Sequence, residues 1–194
     1  MSKSIENAEK KRYSIVQAAL ELFLQHGYGV TSMENVASEA GVTKQTVYRY
    51  FPSKETLFVA VMERIRAEES QPYRFGSDSL QIELENFGRD LLAFHLTPSA
   101  LGVYRLMLTE GGEEKLLEPF MNAGPKRVMQ PLLAFLQQRC AGQDDLLFQA
   151  QMFASMILVP RNQLLMNSRA KLTTAAQKEH VDKVVRMFLK TLNN

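Results

Sequence analysis

Cysteine and histidine are scarce in this sequence, and long apolar runs are missing. Cys140 is the sole cysteine of the 194-residue chain, so by itself it can form neither an internal disulfide nor a thiolate metal site. No stretch reaches the roughly 18 consecutive apolar residues of a membrane-spanning helix, and the N-terminus lacks the apolar segment of a signal peptide. We therefore expect a cytoplasmic protein that does not insert into a membrane.

Residues that could carry out catalysis or bind a metal are scattered along the chain. His26, His95 and His180 fall on different predicted helices. The sequence contains no HExxH, GxSxG or glycine-rich phosphate-binding motif. We expect no enzyme activity, no metal and no cofactor, and we keep a helical enzyme as the alternative to a binding protein.

The composition is that of a folded protein whose positive charge is concentrated at its N-terminal end. Apolar residues make up 45% of the chain and charged residues 23%, which is ordinary for a globular protein. Residues 1–54 hold seven Lys/Arg against five Asp/Glu, whereas residues 55–194 hold 16 of each. This asymmetry favours an N-terminal segment that meets a polyanion such as DNA.

Apolar residues recur at spacings of three and four, and alternating Val/Ile runs are absent, so the pattern predicts an all-α fold of about nine or ten helices. The predicted helices span about 9–25, 32–40, 44–50, 54–69, 79–96, 98–109, 114–123, 125–140, 144–167 and 174–192. Gly27 is predicted to end the first helix, and Thr31, Thr43 and Ser53 to cap the next three. Pro160 should kink or split the helix in which it lies.

Two of the short helices, joined by a tight turn at Gly41, have the outline of a DNA-binding helix-turn-helix. Ala37 and Ala40 are small, so the two helices can approach closely. The outward positions of the second helix carry side chains that hydrogen-bond base edges or phosphates. These candidate DNA contacts are Lys44, Gln45, Thr46, Tyr48 and Arg49. The alternative is an ordinary helical hairpin with a solvated polar face.

The stretch from Gly27 to Phe58 resembles the DNA-binding domain of the TetR family, above all in the block AGVTKQTVYRYFPSKETLF. The resemblance implies a three-helix DNA-binding domain at 1–54 and an effector-binding and dimerisation domain at 55–194. It implies double-stranded operator DNA and a second copy of the chain as partners. It further implies that Lys54 contacts phosphate at a helix N-terminus. The predicted DNA contacts from this stretch are completed by Thr31, Thr43 and Tyr50.

The C-terminal part resembles the AefR-like subgroup of the same family. The residues that carry this resemblance are Arg105, Leu106, Glu110, Phe120, Gly124, Pro125 and Arg127. Gly111 and Gly112 stand where the subgroup usually has an aromatic–proline step. The family implies a repressor that releases its operator on binding a small, mostly apolar effector. A constitutive dimeric repressor without a ligand is the alternative.

Large flexible and aromatic side chains are concentrated in this C-terminal part. Nine of the eleven phenylalanines and eight of the ten methionines lie beyond Lys54. Such side chains suit the walls of an apolar ligand site, although core packing is the favoured interpretation for any one of them alone. The candidate ligand contacts are Phe58, Met62, Phe87, Leu91, Phe94, His95, Tyr104, Met107, Phe120 and Met152.

The last predicted helix has a wide apolar face. Such a face covers either the core of its own chain or a second copy. The TetR family packs its last two helices against those of a symmetry mate, so the resemblance implies a homodimer. The candidate interface residues are Phe153, Ile157, Val181, Val184, Val185, Phe188 and Leu189.

Overall fold

The computed structural model describes residues 3–69, 73–110, 114–140, 142–167 and 172–192. Within these ranges all regular structure is helical, which confirms the predicted fold class. The eleven helices of these described ranges are α1 (Lys3–His26), α2 (Met33–Glu39), α3 (Lys44–Tyr50), α4 (Lys54–Glu69), α5 (Leu80–His95), α6 (Pro98–Glu110), α7 (Glu114–Ala123), α8 (Pro125–Arg139), α9 (Leu146–Ile157), α10 (Val159–Met166) and α11 (Thr174–Thr191). Positions 111 to 113, where the sequence departs from the AefR-like pattern, lie outside the described residues.

Local capping interactions explain the bounds of the short N-terminal helices. At the start of α3, the Thr43 hydroxyl accepts a hydrogen bond from the Thr46 N–H at 3.2 Å. At the end of α1, Gly27 has φ 95°. The predicted cap of α2 is wrong by one residue. Its N-cap is Ser32, whose hydroxyl accepts from the Asn35 N–H at 3.1 Å. Thr31 is buried instead, and its hydroxyl donates to a backbone carbonyl of the preceding turn.

Two longer helices differ from their predicted bounds in instructive ways. α1 begins at Lys3 rather than near Glu9, because its polar first turns continue the helix ahead of the apolar face. The helix predicted at 144–167 is two helices, α9 and α10, as the proline within it allows. Pro160 lies in the first turn of α10, where its missing N–H costs no helical hydrogen bond.

The helices form two compact units. The first unit comprises Met1–Glu68 and Gly102–Gly124, and the second comprises Glu69–Leu101 and Pro125–Asn194. These units do not follow the predicted boundary at residue 54. The assignment of DNA binding to residues 1–54 and of effector binding and dimerisation to residues 55–194 stays a prediction.

Aromatic side chains from α1, the turn after it and α4 form the core of the N-terminal helices in the first unit. The rings of Phe23, Tyr28 and Phe58 lie with their centroids 5.2 to 6.1 Å apart. Edge-on and tilted aromatic contacts of this kind add to the free energy gained by burying the rings. Phe58, a candidate ligand contact, is thus a core residue of these helices.

The second unit has its own core, built by α5, α8, α9 and α11. Gly88 on α5 lies at the closest approach, since a Cβ there would stand 2.9 Å from Ile157 Cδ1 and 3.0 Å from Val181 Cγ1. The rings of Phe153 and Phe188 pack with centroids 4.8 Å apart, which joins α9 to α11.

The residues predicted for a dimer interface belong to this core. Phe153, Ile157, Val181, Val184, Val185 and Phe188 are buried, and Leu189 is partly buried against them. The apolar face of the last helix was recognised from the sequence, but helices of the same chain cover it. The first six side chains have almost no surface left for a partner. Exposed apolar side chains of the same helices, such as Phe148 and Met187, do have that surface.

Candidate nucleic-acid interface

α2 and α3 form a helix-turn-helix whose geometry is set by a tight turn. Gly41 has φ 65°, in the left-handed region that favours glycine. The Val42 N–H donates to the Ala37 carbonyl at 3.0 Å and closes the turn. Val36 on α2 and Val47 on α3 are fully buried. The turn and the two valines together fix the direction of α3 relative to α2.

α3 presents most of the predicted DNA-contacting side chains on its surface. Thr43, Lys44, Gln45, Tyr48 and Arg49 are exposed, and Thr46 and Tyr50 are partly exposed. The set offers an ammonium, a guanidinium, an amide and several hydroxyl groups, which are the groups that bind phosphates and base edges. The structure therefore brings seven of the nine predicted DNA contacts onto one short helix and its cap.

An ion pair ties the first residue of α3 to α2. The Lys44 ammonium donates to the Glu34 carboxylate, and it lies 5.8 Å from the centre of the Tyr48 ring. This hydrogen bond raises the pKa of Lys44 and lowers the pKa of Glu34. Both side chains are more than half exposed, so water screens the pair strongly. Glu34, which no sequence pattern assigned to DNA binding, places a negative charge beside a predicted DNA contact.

Lys54, predicted to contact phosphate, holds the turn between α1 and α2. Its Nζ donates to the carbonyl oxygens of Tyr28 at 2.8 Å, Gly29 at 3.3 Å and Thr31 at 3.0 Å. The same ammonium lies 4.2 Å from the centre of the Tyr28 ring. Thr31 is only 4% exposed, so the structure gives it a role inside this turn rather than on a DNA-facing surface.

The N–H groups of the same turn are bound by a residue at the end of α6. The Glu110 carboxylate accepts from the Tyr28 N–H at 3.1 Å and from the Gly29 N–H at 2.5 Å. A Cβ on Gly27 would overlap with the Glu110 carboxylate, so glycine is needed for this approach. No local sequence pattern predicts this contact, because 82 residues separate Glu110 from Tyr28. The closely spaced glycines at 27 and 29 were the local signal of a close approach.

The predicted ligand contacts are divided between the two units. Phe58, Met62, Tyr104, Met107 and Phe120 belong to the first unit, and Phe87, Leu91, Phe94, His95 and Met152 to the second. Tyr104 and Phe120 form an edge-on pair with centroids 5.3 Å apart. His95 is buried, with Nδ1 2.8 Å from the Leu91 carbonyl oxygen. Met152 is 43% exposed, which does not suit a wall of an enclosed site.

The described part of the chain holds neither a metal-binding group of side chains nor a single helix that could span a membrane. No group of three or more His, Cys, Asp or Glu side chains there is placed to hold a metal ion. No helix there is long and apolar enough to cross a membrane alone. α5 and α6 meet that test only as a pair, and they are bent by 70° at the break between them.

Two family models match the chain in succession. Residues 15–61 match the model for bacterial regulatory proteins of the tetR family. Residues 82–192, more than half of the chain, match the model for the C-terminal domain of AefR-like transcriptional repressors. The chain belongs to the TetR family. It is a TetR-family transcriptional regulator, and α2 and α3 lie within the match to the family's N-terminal model.

Relatives of this TetR-family chain differ in how much of it they match. The transcriptional regulator RutR of Escherichia coli K12 is 46% identical over 55 residues, which span 28% of this chain and 26% of RutR. A TetR-family regulator from Mesorhizobium loti has a solved structure with a TM-score of 0.74 and 26% identity, covering 98% of each chain. The flavonoid-responsive regulator FrrA gives a TM-score of 0.78 and 28% identity, covering 94% of this chain and 97% of its own. The TetR likeness in structure thus extends over nearly the whole chain.

Proposed function

We propose that this TetR-family regulator is a repressor that binds double-stranded operator DNA as a homodimer through α3 and releases it when a small, mostly apolar ligand binds. The observation that carries the DNA-binding part is the exposed polar face of α3, mounted on a helix whose direction is fixed by the turn at Gly41. The net positive charge of residues 1–54 favours the approach of this face to the phosphate backbone.

The side chains of that face are suited to two kinds of DNA contact, one to base edges and one to phosphates. The Gln45 side-chain amide is exposed and suited to hydrogen bonds with a base edge, above all adenine, in the major groove. Arg49 and Tyr48 have the reach to bind phosphates beside the groove. Gln45 therefore accounts for preference among sequences, whereas the cationic and phenolic groups account for affinity to any duplex.

A binding titration with the DNA upstream of the protein's own gene tests this proposal. We expect that duplex to bind at least about 10³-fold more tightly than a scrambled duplex of equal length and composition at physiological salt. Gln45→Ala should reduce this preference. The matched control is Gln138→Ala, which removes an exposed amide from α8. Equal affinity of the unaltered protein for both duplexes would refute the proposal that it recognises an operator in this DNA.

We expect the second copy of the chain to pack against α9 and α11. Phe148 on α9 is 54% exposed and Met187 on α11 is 61% exposed, although their neighbours Phe153 and Phe188 are buried. Exposed apolar side chains on two adjacent helices fit a self-complementary contact. A two-fold dimer also presents two copies of α3 to two half-sites of an operator.

Light scattering at micromolar concentration tests this surface with a pair of variants. Phe148→Asp places a charge on the proposed contact, and we expect a folded monomer. Ile82→Asp makes the same kind of change at an exposed position of α5 and should leave the dimer intact. A dimer that persists in Phe148→Asp, or is lost equally in both variants, contradicts the assignment to α9 and α11.

The ligand is expected in the part of the chain that carries most phenylalanines and methionines. The relative FrrA is named as flavonoid-responsive, and its structure covers 94% of this chain. Flavonoids are therefore the first compounds to test in a thermal-shift screen, alongside aliphatic ligands of similar size. A ligand present at 100 times its Kd should stabilise the fold by about 2.7 kcal/mol and weaken operator binding. If no compound that binds the protein changes its affinity for the operator, the protein is a constitutive repressor and not a ligand-responsive one.

A further inference from the structure

The turn between α1 and α2, residues 27–31, is bound on both its donor and its acceptor groups. Glu110 of α6 accepts from the N–H groups of Tyr28 and Gly29. Lys54 of α4 donates to the carbonyl oxygens of the same two residues and of Thr31. Two oppositely charged side chains from two different helices therefore hold the backbone of one short turn.

α6 contacts the N-terminal helices at a second point within the first unit. A Cβ at Gly102 would lie 2.7 Å from Leu24 Cδ2, so α6 and the last turns of α1 approach closely there. Gly102 and Glu110 are eight residues apart on one helix, which corresponds to about 12 Å along its axis. Two separated contacts constrain the direction of α6 relative to the end of α1, which a single contact does not.

α6 and the turn that it holds lie in the matches to two different family models. The turn lies in residues 15–61, matched by the tetR-family model of the N-terminal domain, whereas α6 lies in residues 82–192, matched by the AefR-like C-terminal model. α2 begins at Met33, directly after the turn. Two hydrogen bonds thus join the last turn of α6 to the turn that directly precedes α2.

We infer that Glu110 is a positioning residue for DNA binding: its carboxylate sets the orientation of α2 and α3 by holding the α1–α2 turn. This inference rests on the proposed function. Both hydrogen bonds are charge-assisted, because the acceptor is a carboxylate and the donors are backbone amides. Glutamine at 110 keeps one acceptor oxygen and turns an NH₂ group toward the other amide. Alanine removes both acceptors.

The test compares Glu110→Gln and Glu110→Ala with Glu118→Gln, which removes the charge of an exposed glutamate on α7 in the same unit. Hydrogen exchange at the Tyr28 and Gly29 amides reports the two hydrogen bonds directly. Affinities for the duplex upstream of the protein's own gene and for a scrambled duplex report DNA binding. Each affinity is referred to the folded fraction of the variant.

We expect both amides to exchange faster in Glu110→Ala and at least one in Glu110→Gln. We expect specific affinity to fall by about fivefold or more, with scrambled-duplex affinity unchanged. The Glu118→Gln protein should match the unaltered protein in every readout. If Glu110→Ala does not fold, the nearly isosteric Glu110→Gln decides the question alone.

Two results would overturn the inference while leaving the proposed function standing. One is amide exchange that stays the same in both Glu110 variants. The other is faster exchange with specific affinity unchanged, which would reduce Glu110 to a contributor to stability. Failure of the unaltered protein to prefer its upstream duplex over the scrambled one would instead refute the proposed function, and the role of Glu110 with it.

Discussion

Replacing Glu83 by glutamine should destabilise the second unit, because this buried carboxylate organises the segment that precedes α5. Glu83 is only 3% exposed. Its Oε1 accepts from the N–H groups of Gly76 at 2.8 Å and Asp78 at 3.2 Å, and its Oε2 accepts from the Tyr73 hydroxyl at 2.9 Å. The Tyr73 ring in turn packs edge-on against Phe87.

The magnitude follows from the change in acceptor charge. In glutamine the amide oxygen can accept from both backbone N–H groups while the NH₂ group donates to the Tyr73 hydroxyl, so three bonds remain but become neutral. Hydrogen bonds to a charged group contribute roughly 1.5–3 kcal/mol each and neutral ones about 0.5–1.5 kcal/mol, so the three bonds lose about 3 kcal/mol in total. The lower cost of burying an uncharged amide offsets part of this loss. We expect the free energy of unfolding to fall by about 1–3 kcal/mol at pH 7.

The effect should depend on pH with a definite sign. The backbone hydrogen bond from Gly76 is the largest of the contacts that lower the pKa of Glu83 below its usual 4.5, against the opposing effect of burial. The unfolded chain therefore binds more protons than the folded one in this range. The stabilisation by Glu83 is fully present above about pH 4.5 and is lost as the pH falls through the folded-state pKa.

Urea denaturation at a series of pH values measures this difference. The unaltered protein and Glu83→Gln should differ most at neutral pH and converge in acid. Asp144→Asn, at an exposed carboxylate in the turn before α9, is the control and should change the free energy of unfolding by less than about 0.5 kcal/mol. A difference that stays constant from pH 7 to pH 3, or a Glu83→Gln protein as stable as the unaltered one, would refute the reasoning.

Three further changes test other contacts. Lys54→Met should lower stability by about 1–3 kcal/mol through the lost hydrogen bonds to the α1–α2 turn and flatten the salt dependence of DNA binding by about one unit; an unchanged slope in binding titrations would confine Lys54 to the turn. Phe188→Asp should unfold the second unit, because Phe188 is buried in its core, and circular dichroism would show the loss of helix. A folded monomer would instead place Phe188 in the dimer interface. Glu34→Gln should strengthen binding to any duplex and steepen its salt dependence by freeing Lys44; weaker binding would show that the Glu34 pair positions Lys44 for DNA.

Features that depend on near neighbours in the sequence were predicted well. Thr43 caps α3, and the Ser53 hydroxyl accepts from the Thr56 N–H at 3.2 Å at the start of α4, because a cap needs only the hydroxyl and the next turn. The choice between Thr31 and Ser32 as the cap of α2 failed. Both precede a polar residue by three positions, and only the burial of Thr31 beneath the preceding turn decides between them.

Features that depend on distant parts of the chain were not predictable from local patterns. Periodicity correctly located the apolar face of α11, but it carries no information on which helix covers that face. The structure shows α5 and α9 of the same chain there. The contacts of Lys54 and Glu110 with the α1–α2 turn likewise join residues 26 and 82 positions from Tyr28. Hydrogen bonds of that range arise from the packing of whole helices.

The central claim is that the exposed face of α3 reads operator sequence, and titration of Gln45→Ala against single-base variants of the bound operator tests it most directly. We expect a loss of roughly 1–3 kcal/mol on the unaltered operator, no further penalty for changing one particular base pair, and nearly unchanged binding to scrambled DNA. An equal loss on every sequence, scrambled DNA included, would contradict it, because Gln45 would then contribute affinity without base recognition.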